Sequence, residues 1–241
     1  MTEETRHLLE RIGLKGMLEH LDLELEQAQQ EGPSYEDFLR RLLRHEAVHA
    51  QMRSLEYRIR TAGLPERWSI DTFPFASQPG VRPAVIRQLA SLEFVAAKAN
   101  IVFIGPTGVG KTGLATGLLC KALENGHRGI FVKAQDLFDD MYASLADHST
   151  RALVRRLARF DVLVIDEMGY LNLRPEQSNI FFKLMEERYN RHSTIITTNL
   201  DYPDWAKFLG QAPMVAALLD RLRHKCTTIR IDGPSLRSPT T

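Results

Sequence analysis

The sequence predicts an α/β fold, a parallel five-stranded sheet between helices with a small N-terminal helical domain, on the strength of three observations. Five short β-branched or apolar runs recur after residue 99 with helical stretches between them, the alternation that builds a parallel sheet covered on both faces. The first run, Asn100-Ile101-Val102-Phe103-Ile104, leads straight into Gly105-Pro106-Thr107-Gly108-Val109-Gly110-Lys111-Thr112, a complete phosphate-binding loop, and then into a helical stretch from Gly113 to Glu124. The third run ends in Asp166-Glu167, at the carboxyl-terminal edge where an open α/β sheet takes its ligand.

Taken in order, residues 7–29 space Leu8, Ile12, Met17, Leu18, Leu21 and Leu25 close to a helical period, interrupted by Gly13 and Gly16 and ended by Gly32-Pro33. Ser34, with Asp37 three positions on, resembles a capping box for a second helix. Its stripe of Phe38, Leu42, Leu43, Ala47, Leu55 and Ile59 runs to Gly63. Residues 1–64 are therefore expected to form a helical domain, and residues 65–98 a linker and lead-in helix. The linker breaks all periodicity from Pro65 to Gly80, and its Trp68, Phe73 and Phe75 are expected to dock on the core. A helix over 83–97 precedes the α/β domain, residues 99–241. Its further strands are expected at 129–133, 161–165, 194–198 and 227–231.

Length and composition narrow the setting. A chain of 241 residues can bury one α/β core and leave room for one accessory module. The net charge of +1 gives no global pull toward nucleic acid or membrane, so such binding must come from a local patch. Cys120 and Cys226 are the only cysteines, which excludes a disulfide framework and a cysteine metal cluster. Without a basic or apolar leader after Met1, or a stretch long enough to span a bilayer, a cytoplasmic protein is expected.

The loop states its chemistry. Glycines at 105, 108, 110 and 113 let successive backbone N–H groups turn toward phosphates, and the N-terminus of the following helix adds positive partial charge there. Lys111 is placed for the β and γ phosphates of ATP and Thr112 for Mg²⁺. Asp166 would hold Mg²⁺ through its water shell, and Glu167 would accept a proton from a water attacking the γ-phosphate. A second motif, His45-Glu46-Ala47-Val48-His49, matches the zinc-peptidase signature, but Met52, Leu55 and Tyr57 stand downstream where a third ligand would be needed, so no zinc site is expected. The same helix carries Arg40, Arg41, Arg44, Arg53, Arg58 and Arg60, partly offset by Glu36, Asp37, Glu46 and Glu56. Arg40, Arg44, Arg53 and Arg58 are the candidate phosphate contacts to duplex DNA, with an ordinary solvated face as the alternative. DNA could also run along Arg155, Arg156 and Arg159.

Where the fourth strand ends in Thr197-Thr198-Asn199, the chain resembles the AAA+ ATPases, whose polar-tipped sensor strand lies between the phosphate-loop strand and the acidic strand. The resemblance sharpens over Asp166-Glu167-Met168-Gly169-Tyr170-Leu171, Glu187-Arg188-Tyr189, Ser193-Thr194-Ile195-Ile196-Thr197-Thr198-Asn199-Leu200 and Leu218-Leu219-Asp220-Arg221-Leu222. These motifs, with the N-terminal helical module and the linker Asp71-Thr72-Phe73-Pro74-Phe75, resemble the IstB-type transposition helper ATPases, relatives of the DnaC-type helicase loaders.

That resemblance implies an ATPase that self-assembles with ATP on duplex DNA and assists a transposase in target selection and insertion. It implies that Asn199 orients the attacking water. It makes Arg221 the arginine finger toward a neighbouring subunit, with Arg188 and Arg223 the other candidates. Arg237 matches a terminal arginine that can contact nucleotide in the same subunit, although Leu236 replaces the family's tyrosine. No C-terminal helical lid is expected, since ten residues follow the fifth predicted strand, and the linker would then complete the adenine pocket. Two other readings stand beside this one, a helicase loader of the DnaC type and a nucleotide-switched, non-hydrolysing DNA scaffold.

Overall fold

The structure is a computed structural model that describes residues 3–169, 172–210 and 212–237. It divides into two compact units, Met1–Arg58 and Ile59–Thr241.

The first unit is helical, built from α1 (Glu3–Ile12), α2 (Lys15–Glu31) and most of α3 (Tyr35–Thr61). Gly13, at φ +78°, separates the first two helices, the break that the glycine in the periodic stretch predicts. Gly32 closes α2 in the left-handed conformation and donates its N–H to the Ala28 carbonyl. Ser34 Oγ accepts from the Asp37 N–H at 3.1 Å, so half of the expected capping box forms. Met17, Leu21 and Leu42 make a small core with Leu9, Leu14, Leu25 and Phe38 around it.

Helices α2 and α3 approach so closely at Gly16 that a Cβ there would sit 2.6 Å from the His45 carbonyl oxygen. The zinc-like motif is absorbed by this packing. His45 Nε2 lies 2.8 Å from Glu24 Oε1, the His45 ring stacks on His20 at 4.0 Å, and Glu46 Oε2 accepts the Met17 N–H at 3.2 Å. His45 and Glu46 are thus engaged in helix packing, His49 Nδ1 is buried without a hydrogen-bond partner, and no group of three or more potential metal ligands occurs among the described residues.

The second unit is a three-layer α/β structure. It contains α4 (Pro83–Ala90), α5 (Glu93–Ala96), β1 (Asn100–Ile104), α6 (Lys111–Glu124), β2 (Gly129–Lys133), α7 (Ala134–Ala146) and α8 (Thr150–Ala158). There follow β3 (Val162–Met168), α9 (Pro175–Arg188), β4 (Ser193–Thr198), α10 (Trp205–Leu209), α11 (Ala212–His224) and β5 (Cys226–Arg230). All strand pairings are parallel, in the order β2-β3-β4-β1-β5. Every residue of β4, and all of β1 but Asn100, is buried, which is why these strands read as unbroken apolar or β-branched runs instead of alternating. The fold class is the expected one, with β4 between the phosphate-loop strand and the acidic strand. No helix among the described residues is long and apolar enough to cross a membrane.

Three expectations shift at their edges. The helix over 83–97 divides because Leu92 adopts φ +64° between α4 and α5. The third strand runs on to Met168, with an irregularity in its pairing between Ile165 and Met168. Residues 59–64, expected in the N-terminal domain, fall in the second unit. Ala62 is fully buried there and its carbonyl accepts the Phe131 N–H at 2.7 Å, a tie to β2 that helical periodicity does not reveal.

Arg188 closes α9 and is only 1 % exposed. Its guanidinium donates to the Leu157 carbonyl at 2.9 Å, the Phe160 carbonyl at 2.8 Å, Thr194 Oγ1 at 3.0 Å and the Ser193 carbonyl. Burial pulls its pKa down, and the group stays charged at neutral pH. It joins α8, α9 and β4 by satisfying their chain ends. Arg188→Ala should therefore cost about 3 kcal/mol or more, because several buried acceptors lose their donor together. Urea unfolding is the check. A loss under about 1 kcal/mol would mean that water replaces the side chain at little cost.

Candidate nucleotide site

The site is assembled at the carboxyl-terminal edge of β1, β3 and β4. The chain leaves β1 at Gly105, whose N–H donates to the Thr198 carbonyl at 3.1 Å. A Cβ on Gly105 would stand 2.2 Å from the Ile231 carbonyl oxygen, so only glycine fits between the loop and the segment after β5. Gly108 and Gly110 take φ +86° and +96°, the left-handed turns that face backbone N–H groups inward and start α6.

Lys111, the first residue of α6, donates from Nζ to the carbonyls of Gly105 and Pro106 at 2.7 Å each, which holds the ammonium across the loop. Burial lowers its pKa, and the charges of Asp166 and Glu167 oppose that. Thr112 Oγ1 lies 2.9 and 3.1 Å from the two oxygens of Asp166, so the two residues expected at Mg²⁺ are brought side by side from 54 positions apart. Asp166 is 3 % exposed. Burial pushes its carboxyl pKa up, against hydrogen bonds donated by Thr197 and Thr112.

Glu167 occupies an unusual backbone state. Its φ is +60°, at the point where the β3–β4 pairing becomes irregular, and its N–H donates to Thr197 Oγ1 at 2.9 Å. A non-glycine residue held in this region costs on the order of 1 kcal/mol, and the result here is to turn an exposed carboxylate out of the strand and onto the cavity wall. The cavity is about 520 Å³, a size suited to a nucleotide, and combines a cationic loop with a hydroxyl and carboxylate pair. That donor set fits a triphosphate with Mg²⁺. Lys111 and the amides at the start of α6 would meet phosphate oxygens, and Thr112 and Asp166 would meet the ion.

The other predicted residues divide by position. Arg237 lines the cavity in its own chain. It is brought there because the Leu236 N–H donates to the Gly108 carbonyl at 2.8 Å, and Gln78 Nε2 donates to the Pro234 carbonyl at 2.6 Å. Asn199 does not line the cavity. It is exposed, with Oδ1 beside Gly169, while Thr197 and Thr198 of the same strand do reach the wall. Thr197 was missed as a functional residue, although Thr197-Thr198 directly precedes Asn199 and a hydroxyl at a buried strand end is itself a signal. Gln135, at the start of α7, was also missed. Tyr170 and Leu171 of the acidic-strand motif lie outside the described residues.

Arg221 is exposed on α11 and lines a different groove, together with Asn100 and Thr194 at the opposite edge of the sheet. Within its own chain it is thus remote from Lys111. Arg223 lies over the Tyr202 ring at 5.0 Å, and Arg188 is enclosed as described above.

The basic helix is more neutralised than its sequence implies. Arg40 pairs with Glu36 at 3.0 Å and Asp37 at 3.1 Å, Arg53 approaches Glu46 at 3.8 Å, and Arg58 donates to Ser54 Oγ at 2.6 Å. Arg44 stands beside Arg40 and Arg41 at a surface hollow. In the second unit, Arg128, Arg155, Arg156 and Arg159 line a hollow of about 440 Å³ with Phe160. Asp161 accepts the Arg128 backbone N–H at 2.8 Å and lies 3.9 Å from its guanidinium, and Asp140 lies 3.9 Å from Arg156. Arg155 and Arg159 make no ion pair among the described residues.

A phosphate-binding loop after β1, an acidic pair on β3 and a polar-ended β4 between them define a P-loop nucleoside-triphosphate-binding protein of AAA+ architecture. The chain matches the family model of IstB-like ATP binding proteins over residues 7–241, and it belongs to that family. It is 36% identical to a Pseudomonas aeruginosa protein named for ATP binding in insertion sequence IS21, over 97% of this chain and 88% of that one. It is 35% identical to the Geobacillus stearothermophilus counterpart from insertion sequence IS5376, over 98% of this chain and 94% of the relative. Among solved structures, the DnaC helicase loader superposes with a TM-score of 0.57 at 26% identity, covering 68% of this chain and 96% of that one.

Proposed function

We propose that the protein hydrolyses ATP with Mg²⁺ when assembled on duplex DNA, and that the assembly directs a transposase to its insertion target. The observation that carries hydrolysis is Glu167, turned onto the cavity wall beside the Thr112–Asp166 pair by a left-handed backbone. A protein that used nucleotide only as a clamp would have no need of a base there, which counts against the non-hydrolysing scaffold. Mg²⁺, when bound, neutralises charge on the phosphates. Lys111 and the amides at the start of α6 fix the γ-phosphate, and Glu167 takes the proton of the attacking water. Thr197, on the cavity wall, holds the Glu167 backbone and orients the water. Arg221 acts on the nucleotide of a neighbouring subunit.

The insertion-sequence relatives cover nearly the whole chain at higher identity than the DnaC loader, whose likeness is limited to about two thirds of it. That favours transposition over helicase loading. Phosphate release from ATP, measured with and without duplex DNA, tests the activity. No release at any protein concentration would remove hydrolysis from the proposal.

DNA affinity should fall steeply with salt, since the contacts are to phosphates. Neutralising Arg44 and Arg53 together should flatten the slope of log K against log salt by about one unit per lost contact. The same substitution pair at Arg155 and Arg159 is the comparison. A slope that changes only in the second variant would assign the DNA path to the ATPase core.

A further inference from the structure

We infer that Trp68 is the platform on which the nucleobase stacks, so that the segment ahead of β1 recognises the aromatic end of the nucleotide while the loop recognises its phosphates. The inference rests on the nucleotide reading of the site and adds to it the group that meets the base.

Trp68 lies 43 positions before Lys111 in the sequence, yet both line the same cavity. What brings it there is a pair of glycines on α6. A Cβ on Gly113 would stand 3.0 to 3.3 Å from three atoms of the Trp68 benzo ring, and one on Gly117 would stand 3.0 Å from Ile70 Cγ1 and 3.6 Å from the Trp68 carbonyl oxygen. Spaced four residues apart, these glycines share one helix face and leave a shallow seat for residues 68–70. In a helix interior each glycine costs roughly 1 kcal/mol relative to alanine. Gly117 lies more than a turn beyond the phosphate-binding pattern, and close approach of the linker is what both helix glycines permit.

The seat is reinforced on its C-terminal side. Ser69 Oγ accepts the Asp71 N–H at 3.3 Å and starts a 3-10 turn over Ile70–Thr72. Phe73 is 4 % exposed, and a Cβ on Gly110 would stand 2.6 Å from its ring. Trp68 therefore leads directly into an anchored segment.

The cavity wall combines two kinds of group. Lys111, Thr112, Glu167 and Thr197 offer contacts for phosphate and metal. Trp68 is the only aromatic side chain on the wall among the described residues, and it retains 36 % of its surface, whereas Phe73 alongside is sealed. A large apolar ring left half open in a site otherwise made of glycines and polar groups is what a planar aromatic ligand requires. Leu236 supplies an apolar neighbour on the same wall.

Two variants and two ligands test the assignment. Trp68→Ala should weaken MgATP binding about tenfold, the scale of a lost base–aromatic stack, and leave inorganic tripolyphosphate binding unchanged. Trp68→Phe should recover most of the ATP affinity. Trp205 is 1 % exposed, so it makes an internal reference, and MgATP but not tripolyphosphate should quench the fluorescence of Trp68. Equal weakening of both ligands in Trp68→Ala would make the residue a structural support of the loop, and unchanged ATP affinity would place the base elsewhere. Either result overturns the inference. Absence of tripolyphosphate and ATP binding in the unaltered protein would instead reject the nucleotide site itself.

Discussion

Lys111→Ala should lose triphosphate binding by about 100-fold or more, while Glu167→Gln keeps binding within about twofold and loses on the order of 10²–10⁴ in turnover. The two residues share a cavity but act on different parts of the reaction. Lys111 is 9 % exposed and bound to two loop carbonyls, so its removal takes away both the cation and a tie that shapes the cradle. Glu167 lines the cavity, and its backbone is held by Thr197. The Glu167→Gln substitution would preserve that backbone hydrogen bond and the side-chain volume, and would leave a carboxamide unable to accept the proton. Equilibrium binding of a fluorescent nucleotide, set against steady-state phosphate release, separates the two effects. Equal loss of affinity in the glutamine variant would remove Glu167 from the role of base.

Arg221→Ala should retain nucleotide affinity and lose about 10³-fold in hydrolysis, the scale of an arginine finger. The motivation is positional, since Arg221 is exposed at the sheet edge opposite the loop and can meet a γ-phosphate only in another copy. Turnover per subunit should then rise with protein concentration and with DNA. Mixing Arg221→Ala with Lys111→Ala should partly restore activity, because one variant has an intact loop and the other an intact finger. Co-assembly of the Lys111 variant is verified by sedimentation. If the two demonstrably co-assemble and the mixture stays inactive, or if Arg221→Ala alone is fully active, the finger lies elsewhere. Arg223 is the next candidate, whereas Arg188 is excluded by its burial among the carbonyls of Leu157, Phe160 and Ser193.

The sequence by itself determined the local parts of this protein. A phosphate loop is a contiguous backbone device, so the glycines at 105, 108 and 110 with Lys111 and Thr112 announce it without any tertiary information. Buried parallel strands are unbroken apolar or β-branched runs, so all five were located to within a few residues, and Asp166-Glu167 could be assigned to the ligand edge of the sheet. Only the tertiary structure decided what depends on residues far apart in the chain. Arginine is read as a surface charge in any composition argument, and Arg188 is instead the donor that closes three elements, because its acceptors come from four separate residues. The pairing of Thr112 at the start of α6 with Asp166 on β3, and the support of Glu167 by Thr197 on the neighbouring β4, join residues far apart in the chain whose juxtaposition no local pattern encodes. The sequence shows acidic neighbours beside the arginines of α3, but only the structure shows that Glu36 and Asp37 hold Arg40, whereas Arg155 and Arg159 make no ion pair among the described residues. Periodicity and motif report on neighbours along the chain, while charge compensation, burial of polar groups and the walls of a cavity are properties of neighbours in space, fixed only when the sheet assembles.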